Sequence, residues 1–337
     1  MTPTSKISAL AFAALGLAFS ASQQAGETPP AVEQAKFTQA QLEQLVAPIA
    51  LHPDTLLAQI LSASTYPIEI VQAQRWVDAH DPMKGVTLEE ALKSQPWDPS
   101  VKALCGFPTV LKQMSENLDW TRDLGDAFLG QKADLMDTVQ RMRKKALDAG
   151  TLKTTPQQKV EQTDGTIVVE PTAPDVIYVP AYSPLVVYGP GWGYPYWYYP
   201  YGYYPPPAGM GYVSFGIGFW WGSACWSHCD WHRHGVFVDA VAFQNFSART
   251  SPAPVGIHAS GQFEWTHDPS HRKGVSYRDP VSIGSFGRAL ESERRGGGSR
   301  PAPPDLRERP SREPPAPPAR HPRGGGHRPD GFERRRR

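Results

Sequence analysis

"TQAQLEQLVAPIALHPDTLLAQILSASTYPIEIVQAQRWVDAH", residues 38–80, carries the pattern that decides the fold. Leu42, Leu45, Val46 and Ile49 recur at helical spacing, so they lie on one face of an amphipathic helix. Thr38 and Gln41 stand three apart at its start, the arrangement of a capping box. Pro48, Pro53 and Pro67 interrupt the pattern. Proline removes a backbone donor and clashes with the preceding turn, so the stretch predicts several short helices instead of one long one.

The same period continues downstream. Thr87 with Glu90 predicts a capped short helix, and Asp98 before Pro99 predicts an N-cap with proline in the first helical position. Phe107, Leu111, Met114 and Leu118 form one stripe; Leu135, Val139, Met142 and Ala146 form another, closed by Gly150. Such stripes face a shared core, and a segment of this length can bury enough apolar surface to fold. Cys105, among apolar neighbours, reads as a small buried hydrophobe.

After Gly150 the period shortens. Residues 157–171 read as two strands about Asp164 and Gly165, a favoured hairpin turn. Residues 175–189 follow with β-branched and tyrosine residues broken by Pro180 and Pro184, which restricts them to edge strands or extended chain. The fold class expected is therefore α+β: an N-terminal all-α helical domain, a small β-rich segment, and long low-complexity and disordered regions. The boundaries are a signal peptide at 1–22, a polar leader at 23–37, the helical domain at 38–150 and the β-segment at 151–190. An aromatic Pro/Gly-rich linker at 191–222, a Cys/His-containing segment at 223–287 and an Arg/Pro/Gly-rich tail at 288–337 complete the chain.

The leader has one lysine, an apolar run from Ile7 to Phe19, then small residues suited to cleavage after Ser20 or Ser22. That is the pattern of a secretory signal, and the run is shorter than the roughly 20 residues that span a bilayer. The expected location is periplasmic or secreted, with peripheral membrane association the other outcome. The tail holds fourteen arginines against seven carboxylates, leaving the rest of the chain at net −6 against an overall +1. It lacks apolar residues to bury and reads as disordered. Its charge suits anionic lipid headgroups or other polyanions. Nucleic acid is not expected, because export removes it as a partner and no base-reading motif accompanies the charge.

One short stretch concentrates chemistry: "CWSHCDWHRH", residues 225–234. Cys225 and Cys229 suit a disulfide if a helical turn brings them together, and an oxidising compartment favours it. The alternatives are a zinc or copper site from Cys225, His228, Cys229, His232 and His234, or free thiols. His267 and His271 imitate a zinc-protease spacing, but Pro269 between them makes Asp268 an N-cap. In the aromatic tract Trp192, Tyr194, Trp197 and Tyr199 are the candidate binding residues, with faces able to stack on sugars or proline-rich chains. Asp78, His80 and Asp81 read as solvated or capping groups. No G-x-S-x-G, H-E-x-x-H or phosphate loop occurs.

Several segments together resemble the DUF3300 family of bacterial envelope proteins: residues 45–76, "WDPSVKALCGFPTVLKQMSENLDWTRDLGDAFLGQKADLMDTVQRMR" at 97–143, "TTPQQKV" at 154–160 and "VIYVPAYSPLVVYG" at 176–189. The later "WTHDPSHRKGVSYRD" at 265–279 is similar to a segment that recurs there. The resemblance covers about residues 40–190 and implies a secreted or membrane-associated protein of Gram-negative bacteria. It brings no catalytic residues, and at Cys105 the family pattern suggests an aliphatic side chain. The function expected is that of a non-enzymatic envelope interaction or scaffolding protein, with envelope proteins, cell-wall glycan or an anionic lipid surface as partners. A metal-binding or redox-responsive protein is the alternative, and an envelope hydrolase the third.

Overall fold

The computed structural model describes residues 36–80, 83–173, 175–190, 192, 212–220, 224–250 and 261–287. Eight helices come first: α1 (Gln39–Val46), α2 (Asp54–Ser64), α3 (Pro67–His80), α4 (Gly85–Leu92), α5 (Pro99–Leu104), α6 (Pro108–Glu116), α7 (Leu118–Gly130) and α8 (Lys132–Asp148). The capping box of α1 is present in full, with Thr38 accepting from the Gln41 amide and the Gln41 side chain returning to the Thr38 amide. Asp98 caps α5 through the Ser100 amide at 2.8 Å.

Two expectations are corrected. Helix α4 starts at Gly85 with Lys84 as N-cap, and the Thr87 hydroxyl donates to the Lys84 carbonyl inside the first turn. The stripe ending at Leu118 is cut at Asn117, whose non-helical backbone separates α6 from α7. Leu118 then opens the second helix and is 40 % exposed, while Phe107, Leu111 and Met114 are buried.

Helix α2 lies at the centre. Every residue but Thr55 is buried, and its polar Gln59 and Ser64 bond to Ser227 and to the Leu61 carbonyl. It packs on α5, α7 and strand β7 (Ser227–Asp230). Gly125 of α7 permits the approach: a Cβ there would collide with the Ser64 carbonyl.

The strands form small antiparallel sheets. β1 (Gln158–Thr163) and β2 (Thr166–Pro171) make the hairpin, with Asp164 and Gly165 both at positive φ, as a two-residue turn of this type requires. β3 (Val176–Ile177) and β4 (Pro180–Tyr182) pair with partners from the last part of the 191–222 linker, β6 (Phe219–Trp220) and β5 (Val213–Phe215). A one-turn helix α9 (Pro184–Val187) follows β4. β7, β8 (Gly235–Asp239) and β9 (Gln262–Glu264) make a three-stranded sheet, with α10 (Ala240–Thr250) between the last two. Residues 280–287 are helical.

Helices and sheets share one apolar core, running from Leu45, Leu57 and Phe128 to Trp226, Val238 and Phe246. The fold is α+β. No helix among the described residues is long and apolar enough to cross a membrane.

Candidate functional site

A groove with two lobes opens where the helical layer meets the ribbon made by residues 176–182 and 213–220. The larger lobe, about 280 Å³, is bounded by Pro48 and His52 before α2, by α6 from Thr109 to Glu116, by β4, and by Gly216, Ile217 and Phe219. The smaller, about 110 Å³, lies between Trp76 and His80 of α3, Met83, Lys84, Cys105 and Trp220. Ile217 and Phe219 line both lobes, so the two meet along that edge.

Local chemistry sets the walls. β4 is tied to the helices by Tyr182, whose hydroxyl donates to the Ala47 carbonyl at 3.0 Å and accepts from the Leu51 amide at 3.3 Å. Tyr188 donates to the same carbonyl at 2.6 Å. Gly218 lets the opposite strand lie against β3, because a Cβ there would collide with the Val176 side chain. The Phe219 ring packs on Phe107 at 5.7 Å. Above this apolar floor Ile217 is 71 % exposed and Trp220 44 %. Trp76 stacks on His80 at 4.4 Å, and the His80 Nδ1 is held by the Trp76 carbonyl at 2.7 Å.

Behind the groove lies a buried ion pair. Arg143 of α8 is fully enclosed and sits 2.6 Å from Asp54. It donates to the carbonyls of Ala50, His52 and Ile167 at 2.8–2.9 Å. Trp231 donates its indole N–H to Asp54 at 2.8 Å, and its ring lies 4.8 Å from the Arg143 guanidinium. Burial pushes the Asp54 carboxyl up while Arg143 pulls it back. Burial, then the Arg143 charge, lowers His52 to about 3. The imidazole in the groove wall is therefore neutral, and its Nδ1 has no hydrogen-bond partner among the described residues.

A second set of buried charges fastens residues 265–279. Arg272 pairs with Asp126 at 2.6 Å and donates to the carbonyls of Thr65, Val275 and Ser276. Glu69, fully buried, takes His271 at 2.9 Å, Lys273 at 3.2 Å and the Asp98 amide at 2.7 Å. The hydrogen bond to Glu69 raises the His271 pKa. His267 sits between Thr65 and Tyr277 at 3.2 and 2.8 Å and is lowered to about 3 by burial. His267 and His271 thus serve different partners, and Asp268 caps the 3-10 turn at Pro269–Arg272 as its sequence position predicts.

The 225–234 cluster is spread apart. Cys225 and Cys229 are both free thiols in this structure. Cys229 lies within strand β7, not on a helical turn with Cys225, and its sulfur is 3.6 Å from the Asp54 carbonyl. His228 packs beside Phe237, His234 pairs with Asp137 at 2.9 Å, and His232 is exposed. No group of three or more His, Cys, Asp or Glu side chains among the described residues is arranged to hold a metal ion. Burial pushes all three thiols up, Cys105 to about 12.

Trp192, expected to offer a stacking face, is 5 % exposed and packs against Tyr188 at 5.3 Å, with its amide donating to the Gly189 carbonyl at 3.3 Å. Tyr194, Trp197 and Tyr199 lie outside the described residues, as do Asp81, the leader and the tail. Asp78 accepts from Gln74 at 2.7 Å and is not joined to His80. The groove and the Arg143 and Glu69 clusters were missed from sequence. Arg143 was legible in principle: it stands four residues after Val139 and beside Met142, on the buried face of α8.

Comparison with known proteins yields one family and one curated relative of note. The family model described as "Protein of unknown function (DUF3300)" matches residues 38–267. The "Uncharacterized protein YacH" of Escherichia coli strain K12 is 36 % identical over 333 residues, covering 79 % of this chain and 53 % of that protein. The chain thus spans about half the length of that relative. No solved structure matches. With more than half of its residues matched by the family model, from the α1 cap through the buried His267, the chain belongs to the DUF3300 family.

Proposed function

We propose that the chain is an exported, non-enzymatic interaction protein of the cell envelope and that the two-lobed groove is where it engages its ligand. The groove carries this reading. It is concave, largely apolar, walled by rigidly bonded elements and edged by a few polar groups, the usual anatomy of a binding site. Its exposed Ile217 and Trp220 leave apolar surface that a ligand would cover. The leader supports export, through its charged start, apolar run and small-residue end. The basic tail adds attraction to anionic surfaces, which salt weakens.

The test combines fractionation with co-sedimentation. A tagged full chain should leave the cytosol, lose its leader, and sediment with purified cell wall or anionic vesicles. Full-length cytosolic material with the leader intact, or recovery only in the supernatant, would defeat the proposal.

A further inference from the structure

We propose that the groove takes one acyl chain with an anionic head, specifically a medium-chain carboxylate, lying across the Ile217–Phe219 edge with its head toward Lys84. This names the ligand of the site proposed above and rests on that reading.

The lining explains the chain. Pro48, Val110, Val179 and Phe219 face one lobe, and Val77, Leu88, Pro108 and Phe219 the other. An elongated apolar body fits two lobes that meet at a ridge better than a compact one. The charge explains the head. Glu116 is the sole carboxylate among the described residues lining either lobe, and Lys112 already pairs with it at 3.4 Å. Lys84, an exposed residue of the smaller lobe's rim, makes no ion pair among the described residues. The neutral His52 at the far end places no charge against the chain. A cationic rim with an apolar interior complements a carboxylate on a hydrocarbon tail, and disfavours a cationic amphiphile or a polyhydroxylated sugar.

The test titrates the purified full chain with decanoate, nonanoate and octanoate, below their self-association concentrations, by calorimetry. Saturable binding should weaken about fourfold for each methylene removed, from the transfer free energy of one buried CH₂. Decyltrimethylammonium, with a similar tail and opposite charge, should bind at least tenfold more weakly. Ile217→Asp places a charge on the shared edge at an exposed position, so folding should survive while decanoate binding falls at least tenfold. Lys84→Glu should reduce decanoate affinity and raise that for the cation.

Equal affinity for the two head groups overturns the proposal, as does absence of saturation or indifference to Ile217→Asp with an unchanged melting curve. Should Ile217→Asp fail to fold, the head-group inversion in Lys84→Glu decides. The outcomes separate from those of the envelope reading. Sedimentation with cell wall without decanoate binding removes only the acyl ligand, and decanoate binding by a cytosolic, unprocessed chain removes only the export.

Discussion

Replacing Arg143 with methionine removes a fully buried cation that holds three backbone carbonyls and Asp54. The carbonyls of Ala50 and His52 lose the Arg143 donor, that of Ile167 keeps only Gln140, and Asp54 loses its counter-charge at 2.6 Å. Breaking a buried pair from one side typically costs about 3–5 kcal/mol, because the partner charge stays in the core. At about 2–4 °C per kcal/mol for a body of this size, the melting temperature should fall by roughly 10 °C. The readouts are urea unfolding followed by far-ultraviolet circular dichroism and a thermal scan. The double variant Asp54→Leu with Arg143→Met leaves no orphan carboxylate and should be more stable than the sum of the single changes by about 2 kcal/mol. Since His52 lines the larger lobe, ligand affinity should also fall in the single variant. A loss under about 1 kcal/mol, or strict additivity in the cycle, would refute the role assigned to this pair.

Other consequences follow from the same structure. Gly125→Ala drives a methyl group into the Ser64 carbonyl at the α2–α7 contact and should cost about 1–3 kcal/mol, read as a lowered urea midpoint; an unchanged midpoint would mean the helices separate freely. His271, raised by its bond to Glu69, contributes stability that is full below its unfolded pKa of about 6.5 and is lost as pH rises through the higher folded value. Amide protection factors in residues 267–279, which remove the base-catalysed intrinsic rate, should therefore fall toward alkaline pH, and His271→Gln should flatten that dependence. His52 and His267, both lowered to about 3, act in the opposite sense: stability is present above pH about 6.5 and is lost as pH falls toward about 3. Urea midpoints measured from pH 7 to 4 should decline, and a flat profile would contradict neutral, buried imidazoles. Cys105 and Cys229 should resist a thiol-specific chromogenic reagent until the protein is unfolded; rapid reaction of either in the native state would contradict their burial.

Much of the helical layer was readable because its signals are local. Thr38 with Gln41, Asp98 before Pro99 and Asp268 before Pro269 each place a side-chain oxygen beside orphan amides one turn away, and all three caps form. Thr87 misled because hydroxyls serve equally well inside a first turn, where it bonds back to Lys84. The groove was not readable for a different reason. Its outer wall pairs residues 176–182 with 213–220 through strands of two and three residues, too short to show an alternating pattern and separated by most of the aromatic linker. The buried charges were hidden by composition: Arg143 lies within "RMRKK" and Arg272 within "HRKG", runs that read as solvated. Cys225 and Cys229 show the limit of spacing alone, since the same interval serves a helical turn or a strand.

The groove itself is most directly tested through its tryptophans. Trp76 and Trp220 line the smaller lobe, whereas Trp120 and Trp231 are held by Leu45 and Asp54 away from it. In a ¹⁵N-labelled full chain titrated with decanoate, the indole N–H resonances of Trp76 and Trp220 should move progressively while those of Trp120 and Trp231 stay fixed. Stationary Trp76 and Trp220 signals at saturating ligand, or shifts confined to the other indoles, would contradict a binding site at the Ile217–Phe219 edge.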